Sequence, residues 1–256
     1  MDQNWLLFAA VPAVGFAAGF VNTLAGSGSL ITLPVLILLG LPANVANGTN
    51  RVGILVQNVV AVATFRRRRA LDASGSSKLA IPTIAGAVAG AVLAVDLDEA
   101  LLNRTIAVLM LVMLGIMLLK PRRWLQAHER AAAASYLVQA PIFFMIGVYG
   151  GFIQAGVGIF LLAGLVLAGG YDLVGANAVK NLIVLAFTIA ALAVFVVNDQ
   201  VRWGLGAVLA AGNAAGAWIA AHMAVERGAP FVRWALIVIL LCASVALLAD
   251  WRLGGG

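Results

Sequence analysis

The chain has 256 residues, of which 63% are hydrophobic and only 10% are charged, and its mean hydropathy is +1.05. Soluble domains carry roughly 25% charged residues, so this composition excludes a soluble protein. Long apolar runs, in place of alternating ten-residue strands, predict an all-α polytopic membrane protein. The net charge of +6 does not indicate nucleic-acid binding, because most of the basic residues lie in short loops between apolar segments.

Ten apolar segments are predicted, five in each half of the chain. They span 5–25, 29–41, 44–65, 79–95 and 100–119, then 136–155, 159–170, 173–197, 203–224 and 231–249. Most have the roughly 20 residues that a helix needs to cross a hydrocarbon core. The second segment of each half is too short and follows a glycine-rich turn. Each is therefore predicted to be a re-entrant or broken helix, with a short helix in a thin part of the bilayer as the alternative.

The two halves repeat one pattern. A Gly-Phe pair at 19–20, a glycine turn at 26–29 and an amide-rich stretch at 47–50 recur at 151–152, 156–158 and 177–181. Interrupted hydrophobic segments in matching places are a good indication of a transporter's substrate site. We therefore predict a first transmembrane repeat at 1–119, a cytoplasmic linker at 120–134 and a second transmembrane repeat at 135–256.

Basic residues predict the orientation of these segments. The loops 66–78, 120–130 and 225–233 carry most of the Lys and Arg residues, and the positive-inside rule places them in the cytoplasm. Both termini then lie outside. Each half crosses the membrane an odd number of times, which predicts two inverted-topology repeats. The cluster Arg66–Arg69 has binding of anionic lipid headgroups as an alternative reading.

Two cations fall inside apolar surroundings, Arg51 and Lys180, each in the third segment of its half. The acidic residues all lie at segment ends or in loops. A charge in the bilayer centre costs at least ~2.5 kcal/mol and by default marks a pathway or a partner, so we expect a mobile anion to be the partner. The alternative is that both side chains extend to a membrane interface.

The glycine turns and amides supply the other candidate residues. Glycine permits close backbone approach to a ligand, and Ser27 or Ser29 is predicted to cap the short helix that follows, whose free N–H groups attract anions. For each single amide, hydrogen bonding between helices is the alternative. The predicted substrate-binding residues are Asn22, Gly26, Ser27, Gly28, Ser29, Asn47, Thr49, Asn50, Arg51, Gln154, Gly156, Gly158, Asn177, Lys180 and Asn181.

Other chemistry is disfavoured. His128 and His222 have no further metal ligands at suitable spacing, and no serine or cysteine has a neighbouring base. We therefore predict no enzyme, no metal and no cofactor. The spacing of Gly86 with Gly90, and of Gly212 with Gly216, indicates helix packing.

At these residues the sequence resembles the TauE/SafE family of membrane permeases, also called sulfite exporters. The resemblance covers essentially the whole chain and is carried by the run at 19–36, the Ala46–Thr49 stretch and the repeat at 151–181. Pro34 matches a proline of the family's first apolar run, whereas Ser27 and Ser29 stand where members often carry more glycine.

The resemblance implies a secondary transporter that moves sulfite, sulfoacetate or another organosulfonate across a bacterial inner membrane. Export by alternating access around a midplane site is expected, with Arg51 and Lys180 attracting the anion. The expected partners are a small anionic substrate and membrane lipid, with a homo-oligomer left open and no nucleic acid. A passive anion channel, a permease for another small solute and a membrane-embedded enzyme or assembly partner are the alternatives.

Overall fold

The computed structural model describes residues 4–71, 76–98, 100–102, 104, 105, 108 and 134–253. The first half contains α1 (Asn4–Ala25), α2 (Ser29–Leu38), α3 (Ala43–Arg67) and α4 (Ser76–Asp96). The second contains α5 (Tyr136–Phe152), α6 (Val157–Leu167), α7 (Leu173–Val197) and α8 (Trp203–Leu253). Most of the predicted segment 100–119 and of the linker 120–134 lies outside the described residues.

The described chain is helical throughout its regular elements, which confirms the all-α prediction. The helices at Ser76–Asp96, Leu173–Val197 and Trp203–Val232 are long and apolar enough to cross a membrane. The long α8 is broken at Gly228, where φ is 66° and ψ is −165°. This break separates the two segments that the sequence predicts at 203–224 and 231–249.

The two short segments form short helices. α2 has 10 residues and α6 has 11, so each is about 15 Å long at about 1.5 Å per residue, half of a hydrocarbon core of about 30 Å. Each follows a glycine turn, as predicted, and each is linked by a short turn to the next long helix. Neither is long enough to cross a bilayer alone.

The first helix of each half packs against the fourth helix of the other half: α1 lies against α8 and α4 lies against α5. Glycines allow both contacts, because a Cβ at any of them would overlap the backbone of the facing helix. This confirms that the predicted Gly-xxx-Gly pairs mediate helix packing. The facing glycines are Gly15 and Gly19 on α1, Gly212 and Gly216 on α8, Gly86 and Gly90 on α4, and Gly147 and Gly151 on α5.

The third helices of the two halves, α3 and α7, pack on one another and on the fourth helix of the opposite half. They carry most of the buried polar side chains, including both cations. Apolar side chains such as Ile54, Phe65 and Phe187 are buried on the same helices. α3 and α7 therefore bring the amides and cations of both halves to the middle of the helical assembly.

Candidate functional site

The two glycine turns meet. Gly26 has a φ of 74° and Gly156 has a φ of 75°, values that glycine adopts without steric cost. The amide N–H of Gly158 donates to the carbonyl oxygen of Gly26 at 3.4 Å. A Cβ on either Gly26 or Gly158 would overlap the other residue's backbone. The turns of the two halves thus form one close backbone contact that only glycine permits.

The predicted serine cap of α2 is wrong. Gly28 occupies the N-cap position with helical φ and ψ of −59° and −30°, and no side chain caps the helix. The Ser29 hydroxyl instead accepts from Nδ2 of Asn50 at 3.0 Å, and the Ser27 hydroxyl has no hydrogen-bond partner. The N–H of Gly28 donates to Oδ1 of Asn22 at 3.3 Å, because Asn22 lies one helical turn before the glycine turn.

Arg51 is completely buried and binds the C-terminal end of α5. Its guanidinium donates to the carbonyl oxygens of Gly150, at 3.3 Å, and Gly151. It also donates to Oε1 of Gln154 at 3.1 Å and to Oδ1 of Asn47 at 3.4 Å. The last carbonyls of a helix have no partner within it and carry the negative end of its dipole. Arg51 supplies the missing donors and a compensating charge.

Neighbouring side chains hold Arg51 in place. Its Cζ lies 4.6 Å from the centroid of the Phe195 ring, a cation–π contact. Asn47 donates to the carbonyl oxygen of Phe152 at 2.7 Å. Gln154, at a φ of 61° that disfavours side-chain-bearing residues, donates to the hydroxyl of Thr188 at 2.7 Å. All four terminal N–H groups of Arg51 thus have partners within the protein, and only Nε lacks one.

Lys180, in the second half, makes the corresponding contact with the end of a helix in the first half. It is buried on α7, and its Nζ donates to the carbonyl oxygens of Asn22 at 3.2 Å and Thr23 at 2.8 Å, in the last turn of α1. Nδ2 of Asn181 donates to the Thr23 carbonyl oxygen as well, at 3.2 Å. An ammonium group has three N–H donors, so these contacts leave one N–H of Lys180 for another acceptor.

From the sequence we expect an exchangeable anion as the partner of both cations, but the structure identifies helix-terminal carbonyls as partners of each. Each cation binds the end of the first helix of the opposite half. The two residues differ in how much of their donor capacity the protein uses. Arg51 is nearly saturated, whereas Lys180 is not.

A small buried cavity lies beside Lys180 and the glycine contact. The volume of this cavity, taken as the space that the centre of a water molecule can reach, is about 10 Å³. That is room for about one water molecule. Residues of both halves line it. Six of the predicted site residues are among them: Asn22, Gly26, Gln154, Gly158, Lys180 and Asn181.

The other predicted residues lie outside this lining. Arg51 and Asn47 bind the end of α5, and Asn50 binds α2 by accepting from the Thr32 hydroxyl at 2.6 Å. The Thr49 hydroxyl accepts from the backbone N–H of Arg202 at 2.9 Å. Both polar atoms of the buried Asn177 side chain lack partners. Ser27, Gly28 and Gly156 lie in the turns before α2 and α6, and Ser29 is the first residue of α2.

Three residues of the cavity lining are absent from the predicted set: Asn58, Val157 and Val184. Asn58 lies seven positions after Arg51, which places it on nearly the same face of α3. That helical spacing was a usable signal for Asn58. Nothing in the spacing distinguishes Val157 and Val184 from the many other apolar residues around them.

Replacing Arg51 with methionine is expected to lower the free energy of unfolding by at least about 2 kcal/mol, even without any anion. The change leaves buried carbonyls without donors, each at a cost of about 1–3 kcal/mol. The matched control is Arg67→Met, at an exposed arginine at the end of the same helix. Thermal unfolding in detergent measures both. Equal melting temperatures for the two variants would contradict a structural role for Arg51.

Comparison with known proteins finds one matching family and several similar membrane transporter proteins. The family described as "Sulfite exporter TauE/SafE" matches residues 11–247. A probable membrane transporter protein of Haemophilus influenzae is 28% identical over 251 residues, which cover 98% of each chain. One from Sinorhizobium is 26% identical over 97% of this chain and 95% of its own. The probable membrane transporter protein YfcA of Escherichia coli is 26% identical over 96% of this chain and 91% of its own. No solved structure matches the chain.

Proposed function

Because this chain belongs to the TauE/SafE family of membrane transporters, we propose that it moves a small sulfur-containing anion across the bacterial inner membrane. Sulfite, sulfoacetate and other organosulfonates are the proposed substrates, and export is the proposed direction. The protein acts as a secondary transporter, without catalysis and without a cofactor. Both termini lie on the periplasmic side.

The observation that carries this proposal is a buried ammonium group with an unused donor at the edge of a cavity. Lys180 is 1% exposed, and it is the charged residue among those lining the cavity. The buried charged side chains among the described residues are Arg51 and Lys180, with no acid beside them. A site of this kind attracts a negative charge and offers it a hydrogen bond.

The packing supports alternating access as the mechanism. Each half supplies one glycine turn, one short helix and one cation, and each half binds the helix ends of the other. Such reciprocity is expected of two inverted repeats around a shared site. The cavity has room for about one water molecule, so a larger anion requires the Gly26 and Gly158 turns to separate. Movement of one half against the other would open the site to one side at a time.

Uptake into proteoliposomes tests the proposal. We expect flux of sulfite and sulfoacetate that saturates with concentration and is accelerated by unlabelled substrate on the opposite side. Chloride and protein-free liposomes are the controls. Flux that rises linearly and shows no trans-stimulation would indicate a channel, and equal flux of every anion would overturn the proposed substrate class.

A further inference from the structure

Two amide side chains in the cavity lining have unused acceptors. Nδ2 of Asn58 donates to the carbonyl oxygen of Ile54 at 2.7 Å. Nδ2 of Asn181 donates to the carbonyl oxygens of Asn177 at 2.7 Å and Thr23 at 3.2 Å. Oδ1 of both amides has no partner, although each side chain is 1% exposed. The lining therefore presents carbonyl oxygens as well as the ammonium group of Lys180.

The orientation of these amides follows from their partners. An amide nitrogen and oxygen are distinguished by their hydrogen bonds, and a backbone carbonyl accepts only from a donor. Turning either amide over would place an oxygen against those carbonyls. Oδ1 of Asn58 and of Asn181 is thus the atom left for whatever occupies the cavity.

A buried acceptor without a donor is costly, and native structures rarely tolerate one without a reason. Here two such acceptors belong to Asn58 and Asn181, which line the same cavity as Lys180. A ligand that satisfies all three must accept from Lys180 and donate to the amides. An anion made only of acceptor atoms satisfies Lys180 alone and places its oxygens near the amide oxygens, which carry partial negative charge.

From this lining we infer that the site selects a singly charged anion that also carries an O–H or N–H donor. A singly protonated oxyanion and a sulfonate bearing a hydroxyl group are the preferred members of the proposed substrate class, whereas a fully deprotonated dianion without a donor, such as sulfoacetate, is expected to bind more weakly. This inference rests on the proposed function, because it specifies the substrate class of the same cavity. Asn58 and Asn181 are the specificity-determining residues for the donor, and Lys180 is the determinant for the charge.

The test compares two probes that differ by one hydroxyl group, 2-hydroxyethanesulfonate and ethanesulfonate. Purified protein in detergent is titrated with each by calorimetry, with sulfate as the dianion. We expect 2-hydroxyethanesulfonate to bind about tenfold more tightly than ethanesulfonate, because only the former gives the amide oxygens a donor. Sulfate is expected to bind more weakly than both.

Variants connect this preference to the amides. Asn58→Ala and Asn181→Ala are expected to reduce the preference for the hydroxyl group to about twofold or less. The matched control is Asn198→Ala, which removes an amide that donates to the carbonyl of Val194 at 2.8 Å on the exposed end of α7. That variant is expected to keep the preference of the unaltered protein.

The outcomes separate this inference from the proposed function. Equal binding of the two sulfonates to the unaltered protein, abolished by Lys180→Met, would overturn the donor preference and leave the anion site standing. Absence of binding by sulfite and by all three probes would overturn both. A preference for the hydroxylated probe that persists in Asn58→Ala and Asn181→Ala would overturn the assignment of these residues.

Discussion

Substitution of Lys180 by methionine is expected to reduce saturable anion flux at least about tenfold. Methionine is a near match in length, but it removes the positive charge and the N–H donor of the cavity lining. Truncating one member of a buried charged contact commonly costs 2–5 kcal/mol, which corresponds to more than tenfold in affinity. Flux into proteoliposomes, normalised to folded protein, measures the effect.

The same substitution also affects the fold, so its controls must separate the two effects. Without Lys180, the carbonyl oxygens of Asn22 and Thr23 lose a donor. Lys180→Arg retains a charge and donors, and Lys78→Met makes the same chemical change at an exposed position on α4. Lys78→Met is expected to transport normally. If Lys180→Met folds and transports at the rate of the unaltered protein, anion transport does not depend on Lys180 and the assignment of this site is wrong.

The second large effect is expected for Gly158→Ala, which should lower the free energy of unfolding by about 3 kcal/mol. The added methyl group would overlap the backbone of Gly26, and backbone cannot move aside as a flexible side chain can. Overpacking of this kind costs about 1–3 kcal/mol or more. Thermal unfolding in detergent and the yield of folded protein are the measurements.

Two other glycines serve as matched controls. A Cβ at Gly204, in the first turn of α8, would meet nothing within 4 Å, so Gly204→Ala is expected to be neutral or slightly stabilising. Gly40 has a φ of 87° but open space around it, so Gly40→Ala isolates the backbone strain of about 1–2 kcal/mol. A melting temperature for Gly158→Ala as high as that of Gly204→Ala would contradict the contact between the two turns.

Much of the fold could be predicted because its signals are local. The predicted segment 173–197 coincides with α7, and the predicted segment 44–65 begins one residue after the start of α3 at Ala43. The short segments after the glycine turns are short helices. The serine cap failed because local preference for a capping serine was overridden by contacts across the fold: Ser29 binds Asn50, which lies 21 residues away in the chain.

The cations show the limit of the same reasoning. Arg51 and Lys180 occupy similar places in similar helices, and the sequence offers no reason to assign them different roles. Their partners lie far along the chain: Gly150 is 99 residues from Arg51, and Asn22 is 158 residues from Lys180. Such partners are set by how the two halves pack. The sequence of each segment therefore predicts the two buried cations, but it does not predict the difference between their hydrogen-bond partners.

Composition and apolar segment length by themselves determined that this protein is helical and membrane-embedded, because they are properties of the chain taken in order. The motifs at 19–36, 46–49 and 151–181 carried its resemblance to the TauE/SafE family, to which it belongs. The sequence also identified the buried cations and the glycine turns. Tertiary structure alone decided that the two turns touch, that Arg51 is held by the end of α5, and that Lys180, Asn58 and Asn181 share one cavity. These relations join residues of both halves, and only the packing of one half against the other brings their atoms within hydrogen-bonding distance.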